Sequence, residues 1–301
     1  MAKAKVLPAR PRAADGRPIT DVDGKRVTDA DGSSVVDAAV QTLRAGRAAS
    51  APRSDRLAVE APLEMRLGGK AATVLMRMPG DDEELVRGFL FSEGMIARAN
   101  DIVALSRPPG LTGDERGNVI SVELSPKLRL PPFERLFYSS SSCGVCGKTS
   151  IASLAVRAQP STSRISVRRS VLGALPARMR QAQDAFLQTG GVHASGLFLP
   201  DGALIAVRED VGRHNALDKI IGWGLAEGRV PFTDHVLLVS GRVSFEIIQK
   251  AIAAGLPFVA AVGAPSSLAV DLAEQFGLTL VGFLREDSMN VYANGQRVAE
   301  G

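Results

Sequence analysis

The sequence lacks the residues that mark several classes of protein. Its 301 residues include only two cysteines, too few for the disulfide framework of a small secreted domain. Aromatic residues make up 5%, with a single tryptophan, so we expect no stacking platform for single-stranded nucleic acid. No stretch of about 18 consecutive apolar residues occurs, and the sequence therefore predicts no membrane-spanning helix.

An excess of charge is also absent outside the N-terminal region. The formal net charge is +4 at pH 7, and residues 1–55, with 10 Lys or Arg and 7 Asp, account for three of these charges. A nearly neutral body argues against a nucleic-acid partner. It still allows a small basic pocket for phosphates.

The N-terminal region has an unusual composition. Residues 1–55 contain neither an aromatic residue nor a glutamate and are rich in Ala, Arg, Asp, Gly and Pro, which predicts a disordered tail. Because no apolar stretch follows Lys3 and Lys5, the start of the chain is not typical of a secretory signal peptide. We expect a cytoplasmic protein.

Two folded parts are predicted after the tail. Residues 56–165 form an α+β segment that ends in a loop with both cysteines. The boundary lies in a polar, proline-containing linker predicted over 157–170. Residues 166–301 then have a helix over 176–188 and a hairpin that turns at 200–202. Helices and buried strands then alternate three times, and this order predicts an α/β layer sandwich with a mixed sheet.

The cysteines lie three positions apart in the segment Ser142-Cys143-Gly144-Val145-Cys146-Gly147. Its glycines leave the sulfurs uncovered, and a helix predicted just after Cys146, together with Lys148, would favour the thiolate that attacks a persulfide. A dithiol redox pair and half of a zinc site remain open from the spacing. Cys143 is the preferred sulfur carrier, because Cys146 lies closer to the first turn of the helix, where partial burial would raise its pKa and hinder attack. Cys146 remains the alternative, since the helix dipole favours the sulfur nearest the free N–H groups.

A second cluster, residues 208–215, follows a strand and opens a helix. Ligands of α/β sheets bind at such corners, and Arg213 and His214 could hold phosphate there with helix N–H groups. A salt-bridged loop without a ligand is an equal alternative. His193, which follows Gly190 and Gly191, could form a second wall of the same pocket.

Two further strand-to-helix corners have the same character, one at 239–244 with Arg242 and one at 262–267. Three such corners in one sheet suggest a single nucleotide-like ligand across that edge. The alternative is ordinary helix capping by Ser244 and Ser266.

With these segments the sequence resembles the formate dehydrogenase accessory sulfurtransferases, the FdhD family. The resemblance covers roughly residues 57–295, and it rests on the segments 142–147, 190–195, 208–219 and 240–246. It implies a fold like that of the cytidine deaminases. It also implies a sulfurtransferase that takes persulfide sulfur from a cysteine desulfurase and passes it to the molybdenum bis(guanine dinucleotide) cofactor of formate dehydrogenase, with Cys143 as the persulfide carrier.

The resemblance also implies a set of ligand-binding residues. The family's cofactor-binding stretch corresponds here to Phe283, Leu284, Arg285, Glu286, Asp287 and Ser288. The molybdenum cofactor would be a substrate, and we expect no resident metal or permanently bound cofactor. The expected partners are a cysteine desulfurase, formate dehydrogenase and a second copy of the chain. The competing hypothesis is a non-catalytic zinc- or nucleotide-binding chaperone for a metalloenzyme.

Overall fold

The computed structural model describes residues 33–46, 50–128 and 159–300, so Cys143 and Cys146 lie outside the described residues. The strands are β1 (Val35–Val40), β2 (Arg53–Ala58), β3 (Ala61–Leu67), β4 (Lys70–Arg77), β5 (Ile102–Ser106), β6 (Val119–Leu124), β7 (Val167–Arg168), β8 (His193–Phe198), β9 (Leu204–Asp210), β10 (Val236–Val239), β11 (Phe258–Ala261), β12 (Thr279–Gly282), β13 (Asn290–Ala293) and β14 (Val298–Ala299). The helices are α1 (Asp82–Ser92), α2 (Arg169–Gln181), α3 (Asp184–Thr189), α4 (Arg213–Ala226), α5 (Phe245–Ala253) and α6 (Ser267–Gln275).

The largest sheet has six strands in the order β13-β12-β11-β10-β8-β9. β10, β11 and β12 pair in parallel, whereas β8 is antiparallel to both of its neighbours and β13 is antiparallel to β12. The three parallel strands are buried along their whole length. This is expected of short apolar strands that are covered on both faces.

Alternate side chains of these strands enter two separate cores. Leu237 and Val239 of β10 pack among residues of α4, α5 and α6, while Val236 and Leu238 pack among residues of α2. Helices therefore cover both faces of the sheet. The predicted three-layer α/β sandwich with a mixed sheet is confirmed.

The N-terminal part is an α+β unit, as predicted. Its four-stranded sheet has the order β4-β3-β6-β5, and α1 packs on one face through Leu85, Val86 and Leu90. Asp82, in the first turn of α1, pairs with the buried Arg77 at the end of β4, with 2.9 Å between Oδ1 and Nε. This ion pair holds the first turn of α1 against the end of β4.

The two parts of the chain meet where α1 crosses α4. A Cβ atom on Gly88 would lie 1.8 Å from the carbonyl oxygen of Asp218, and one on Gly222 would lie 1.8 Å from that of Glu84. Only glycine lets the two backbones approach this closely. The helices therefore pack without side chains at the points of contact.

A buried ion pair also joins these helices to α5. The Lys250 ammonium lies 2.9 Å from the Asp218 carboxylate and donates to the Ser92 hydroxyl at 2.7 Å. Because Asp218 accepts from Ser92 as well, at 2.8 Å, each buried polar group has partners. α1, α4 and α5 are thus held together by polar contacts.

The predicted disordered tail, residues 1–55, is wrong over part of its length. β1 lies inside that range, and β2 begins there; the two strands pair antiparallel from Val35 opposite Ala58 to Val40 opposite Arg53. The hairpin is held by the body, since Arg56 donates to Gln188 of α3 and Ala58 packs in a cluster with Phe186. Composition alone does not reveal such tertiary contacts.

The helix predicted over 176–188 is two helices, α2 and α3, and α2 starts within the predicted linker. Val171, Leu172, Leu175 and Met179 are buried, so the apolar face of α2 extends well before Pro176. The proline lies inside the helix rather than at its start. α3 begins separately because the Glu209 carboxylate accepts hydrogen bonds from the N–H groups at its first turn.

In the ranges that the structure describes, no helix combines the length and the apolar character needed to cross a membrane.

Candidate functional site

Polar residues from several strands collect at one edge of the six-stranded sheet. Because β8 runs antiparallel between β9 and β10, the strands β9, β10, β11 and β12 all point the same way. Their carboxyl ends therefore meet at one edge, where β8 begins at His193. α4, α5 and α6 begin at this edge too, as the sequence predicted for a ligand site of an α/β sheet.

The strand-to-helix corners at this edge touch one another. The Gly263 N–H donates to the carbonyl oxygen of Gly241 at 3.2 Å, and a Cβ atom on Gly263 would lie 2.7 Å from that oxygen. The Phe283 N–H in turn donates to the Gly263 carbonyl at 3.1 Å. Ser240 joins these corners to the start of β8, because its hydroxyl accepts from the Ala194 N–H at 2.9 Å. The corners thus form one continuous surface.

Four basic residues that the sequence singled out come together on this surface. Burial lowers the pKa of His193, and the neighbouring Arg213, His214 and Arg242 lower it further, against the opposing effect of Asp210. The His193 ring lies against Gly241, whose missing side chain leaves room for it. We call His193, Arg213, His214 and Arg242 the basic cluster.

Arg213 has unused hydrogen-bonding capacity. Its Nε is buried and has no hydrogen-bond partner among the described residues. It is the first residue of α4, where Gly212 offers no side chain to cap the helix. Free helix N–H groups beside a guanidinium suit an anion such as phosphate.

Most of the segment 208–219 has a structural role, so the salt-bridged alternative holds for much of it. The Arg208 guanidinium donates to Glu84 of α1 at 2.8 Å, and the fully buried Asp210 and Lys219 pair at 2.8 Å. Asp210 also accepts from the Met78 N–H at 3.1 Å. These contacts bind the N-terminal part to the start of α4.

Glu209 and Asn215 belong to the same framework. Burial raises the pKa of Glu209, although the Ala185 and Phe186 N–H groups oppose the shift. Asn215 donates to Asp210 at 2.9 Å and to the Met76 carbonyl at 2.7 Å. Within this segment, Arg213 and His214 are the residues that face the edge of the six-stranded sheet where β8 begins.

Ser244 and Ser266 differ, although both precede a helix. The Ser266 hydroxyl caps α6 by accepting from the Ala269 N–H at 3.3 Å. Ser244 makes no such bond to α5; its Oγ lies 3.3 Å from Nε2 of His214. Capping therefore accounts for Ser266 only.

Glu246, which sequence reasoning did not select, lies beside His214. Its Oε2 is 3.8 Å from Nε2 of His214, an ion-pair distance rather than a hydrogen bond. Burial would raise the pKa of Glu246, but His214, the Ser244 hydroxyl and the Glu246 backbone N–H lower it to about 2. The only sequence signal was a carboxylate in the first turn of a helix at a predicted ligand edge.

The comparison with known families agrees with this geometry. The model of the FdhD/NarQ family matches residues 58–299. The chain belongs to this family. Its relatives include proteins named sulfur carrier protein FdhD from Mycobacterium tuberculosis, 51% identical over 82% of this chain and 92% of the relative, and from Streptomyces coelicolor, 49% identical over 86% and 94%.

Among solved structures, the FdhD/NarQ chain is similar to one from Desulfotalea psychrophila described as a "putative formate dehydrogenase accessory protein". That structure has a TM-score of 0.69 and 25% identity, and the match covers 89% of this chain and all of the other. The fold and the family are thus supported independently.

The FdhD family's predicted cofactor-binding stretch is divided between two places. Phe283, 44% exposed and with a φ of 50°, and the buried Leu284 attach to the sheet edge, where the Leu284 N–H donates to Ala261 at 2.9 Å. The Arg285 guanidinium donates to the Val262 carbonyl at 2.9 Å. The last three residues line a neighbouring cavity of about 640 Å³, together with the start of α2: Glu286, Asp287 and Ser288, with Arg169 and Ser170.

No group of three or more His, Cys, Asp or Glu side chains suited to a metal ion occurs among residues 33–46, 50–128 and 159–300. The cysteine pair lies outside these ranges, so its predicted roles stay predictions.

Proposed function

We propose that this member of the FdhD/NarQ family is a sulfurtransferase that accepts persulfide sulfur from a cysteine desulfurase on Cys143. It passes this sulfur to the molybdenum bis(guanine dinucleotide) cofactor of a formate dehydrogenase, which it binds as a substrate. The names of its relatives support a sulfur carrier, and the description of the solved relative supports formate dehydrogenase as the client. We further propose that it acts in the cytoplasm as a homodimer.

The loading step is a thiol exchange. The Cys143 thiolate attacks the outer sulfur of the desulfurase persulfide and forms a new S–S bond, while the desulfurase cysteine leaves as a thiolate. Electrons and atoms balance without an external oxidant. In this exchange Cys143 carries the sulfur.

The observation that supports the substrate class most directly is the basic cluster. Arg213 and Arg242 donate hydrogen bonds but cannot accept them, and they sit beside the uncapped start of α4. The diphosphate groups of a guanine dinucleotide offer only acceptors and negative charge, so they match this surface. The neighbouring Phe283 would lie against the base or the pterin.

The test is to incubate the protein with a cysteine desulfurase and free cysteine, then to locate the added sulfur by peptide mass spectrometry. We expect the sulfur on Cys143. Cys143→Ser should abolish both the modified peptide and activation of formate dehydrogenase, whereas the matched Cys146→Ser should still carry sulfur. A Cys143→Ser protein that loads sulfur normally and yields active enzyme would refute the assignment.

Metal analysis of the same preparations separates the competing hypothesis. The basic cluster would also suit a nucleotide-binding chaperone without sulfur chemistry. Stoichiometric zinc that is lost in both cysteine variants, with no sulfur on either cysteine, would favour that chaperone.

A further inference from the structure

In the contacts between His214, Ser244 and Glu246, the donor and the acceptor can be assigned. Glu246 is 9% exposed, and its pKa of about 2 keeps it ionised under ordinary conditions. An ionised carboxylate accepts hydrogen bonds and cannot donate them. Oε2 of Glu246 lies 3.8 Å from Nε2 of His214, so this nitrogen faces a group that can only accept, which favours a proton on Nε2.

The same nitrogen lies 3.3 Å from Oγ of Ser244, and this oxygen accepts the hydrogen bond when Nε2 carries the proton. In a neutral imidazole one nitrogen is a donor and the other an acceptor, so Nδ1 of His214 is left as the acceptor. Nδ1 has no hydrogen-bond partner among the residues that the structure describes.

We propose that Ser244 and Glu246 are positioning residues that hold His214 with Nδ1 as a hydrogen-bond acceptor beside the donor-only arginines of the basic cluster. This proposal rests on the proposed function, and it assigns each polar group of the ligand to a residue according to whether the group donates or accepts a hydrogen bond. Phosphate oxygens go to Arg213 and Arg242, which can only donate. An amide-like N–H of the ligand, as guanine and pterin rings carry, goes to Nδ1 of His214. His214 thereby helps to select a ligand that presents both kinds of group.

The chain suits a direct spectroscopic test because it contains only three histidines, His193, His214 and His235. The full-length protein is labelled with ¹⁵N-histidine, and long-range ¹H–¹⁵N spectra are recorded at a pH where the rings are neutral. His193→Gln and His235→Gln identify the His214 signals by elimination. We expect Nδ1 of His214 far downfield as the unprotonated nitrogen. A protonated Nδ1 in the wild-type protein would overturn the proposal without any variant.

Ser244→Ala and Glu246→Gln test the cause. Each should convert the single His214 tautomer into a mixture, since the first removes the acceptor and the second supplies an amide that can donate to Ser244. The matched control is Ser266→Ala, which removes a helix-cap serine at the next corner and should leave the His214 spectrum unchanged. A pure Nε2–H tautomer in both test variants would show that contacts other than those with Ser244 and Glu246 determine the His214 tautomer.

Binding to GDP tests the ligand contact separately. We expect Ser244→Ala to weaken GDP binding about two- to threefold, because only the fraction of His214 rings with an unprotonated Nδ1 can accept from the ligand, and Ser266→Ala to leave it unchanged. Equal affinities in the two variants would overturn the contact to Nδ1. If the wild-type protein binds no GDP, the nucleotide part of the proposed function fails, while the tautomer spectra still decide the roles of Ser244 and Glu246.

Discussion

Two arginines lie near opposite ends of α4 in very different surroundings. Arg213 opens the helix at the ligand edge and has a buried Nε without a partner among the described residues. Arg229 follows the helix at the other edge, is exposed, and lies 5.4 Å from the centre of the Trp223 ring. The same side chain thus has an unused buried donor at one end and a surface packing role at the other.

This difference makes Arg213→Ala and Arg229→Ala a matched pair. Loss of a charge-assisted bond to phosphate should weaken binding of GDP to Arg213→Ala by about 1.5–3 kcal/mol. Arg229→Ala should bind GDP like the wild type. Isothermal calorimetry measures both, and an equal loss in the two variants would indicate a general charge effect instead of a site.

The low pKa of Glu246 predicts how stability changes with pH. Since its pKa in the folded protein is about 2 rather than the usual 4.5, the ionised carboxylate stabilises the fold above about pH 4.5. This contribution is lost as the pH falls from 4.5 towards 2. Allowing for screening by solvent, Glu246→Gln should lower the free energy of unfolding by about 1–2 kcal/mol at pH 7 and by much less at pH 3.

Urea unfolding at the two pH values measures this difference, with Glu274→Gln, an exposed carboxylate of α6, as the control. An equal destabilisation of Glu246→Gln at pH 7 and pH 3 would mean that its effect comes from packing and not from charge.

At the scale of elements, the crossing of α1 and α4 depends on two glycines. Gly88→Ala should destabilise the protein by about 3 kcal/mol or more, because the new Cβ would meet the Asp218 carbonyl. In an isolated helix the same change would stabilise by about 1 kcal/mol. The opposite sign therefore identifies the close contact.

Gly191→Ala is the control for this substitution. Its Cβ would have no neighbour nearer than 3.8 Å, and we expect a change within about 0.5 kcal/mol. Chemical denaturation of both variants is sufficient. A Gly88→Ala protein as stable as Gly191→Ala would show that the helices do not touch at this point.

Elements defined by local apolar runs could be predicted well. The four apolar residues of β10 and the six alternating residues of β6 lie between turn residues, so the sequence alone indicates a strand at each place. β1 was missed because its residues are held by pairing with β2 and by contacts with α3. The division of α2 from α3 was missed because the Glu209 carboxylate, more than twenty residues later, starts the second helix.

The site shows the same limit. The basic residues of the cluster could be selected from the sequence, because each follows or begins a strand at a corner. The sequence could not show that Arg208 and Asp210 do not belong to the cluster. These two residues are engaged by Glu84 and Met78, more than a hundred residues away. Glu246 became visible only once α5 was placed beside His214.

At the scale of the whole molecule, the N-terminal hairpin of β1 and β2 is the first element that the structure describes. Residues 1–32 have the composition of a disordered tail, whereas β1 pairs with β2 along six residues. A chain that starts at residue 33 should melt at the temperature of the full chain. A chain that starts at residue 51 loses β1 and should melt about 3–6 °C lower.

Differential scanning calorimetry of the three chains tests this. Equal melting temperatures for the chains that start at 33 and 51 would show that the hairpin adds nothing to the stability of the body.

The direction of the strands in the six-stranded sheet also has a practical use. The turn between β8 and β9, at 199–203, lies at the far end of β8 from His193, and six strand residues place it about 20 Å away. Asp201 is exposed there, and the turn closes through the Gly202 N–H and the Leu199 carbonyl. A peptide tag inserted at this turn could tether the protein to a sensor chip with the His193 edge of the sheet facing the solution, so that nucleotides and the proposed protein partners can be passed over it.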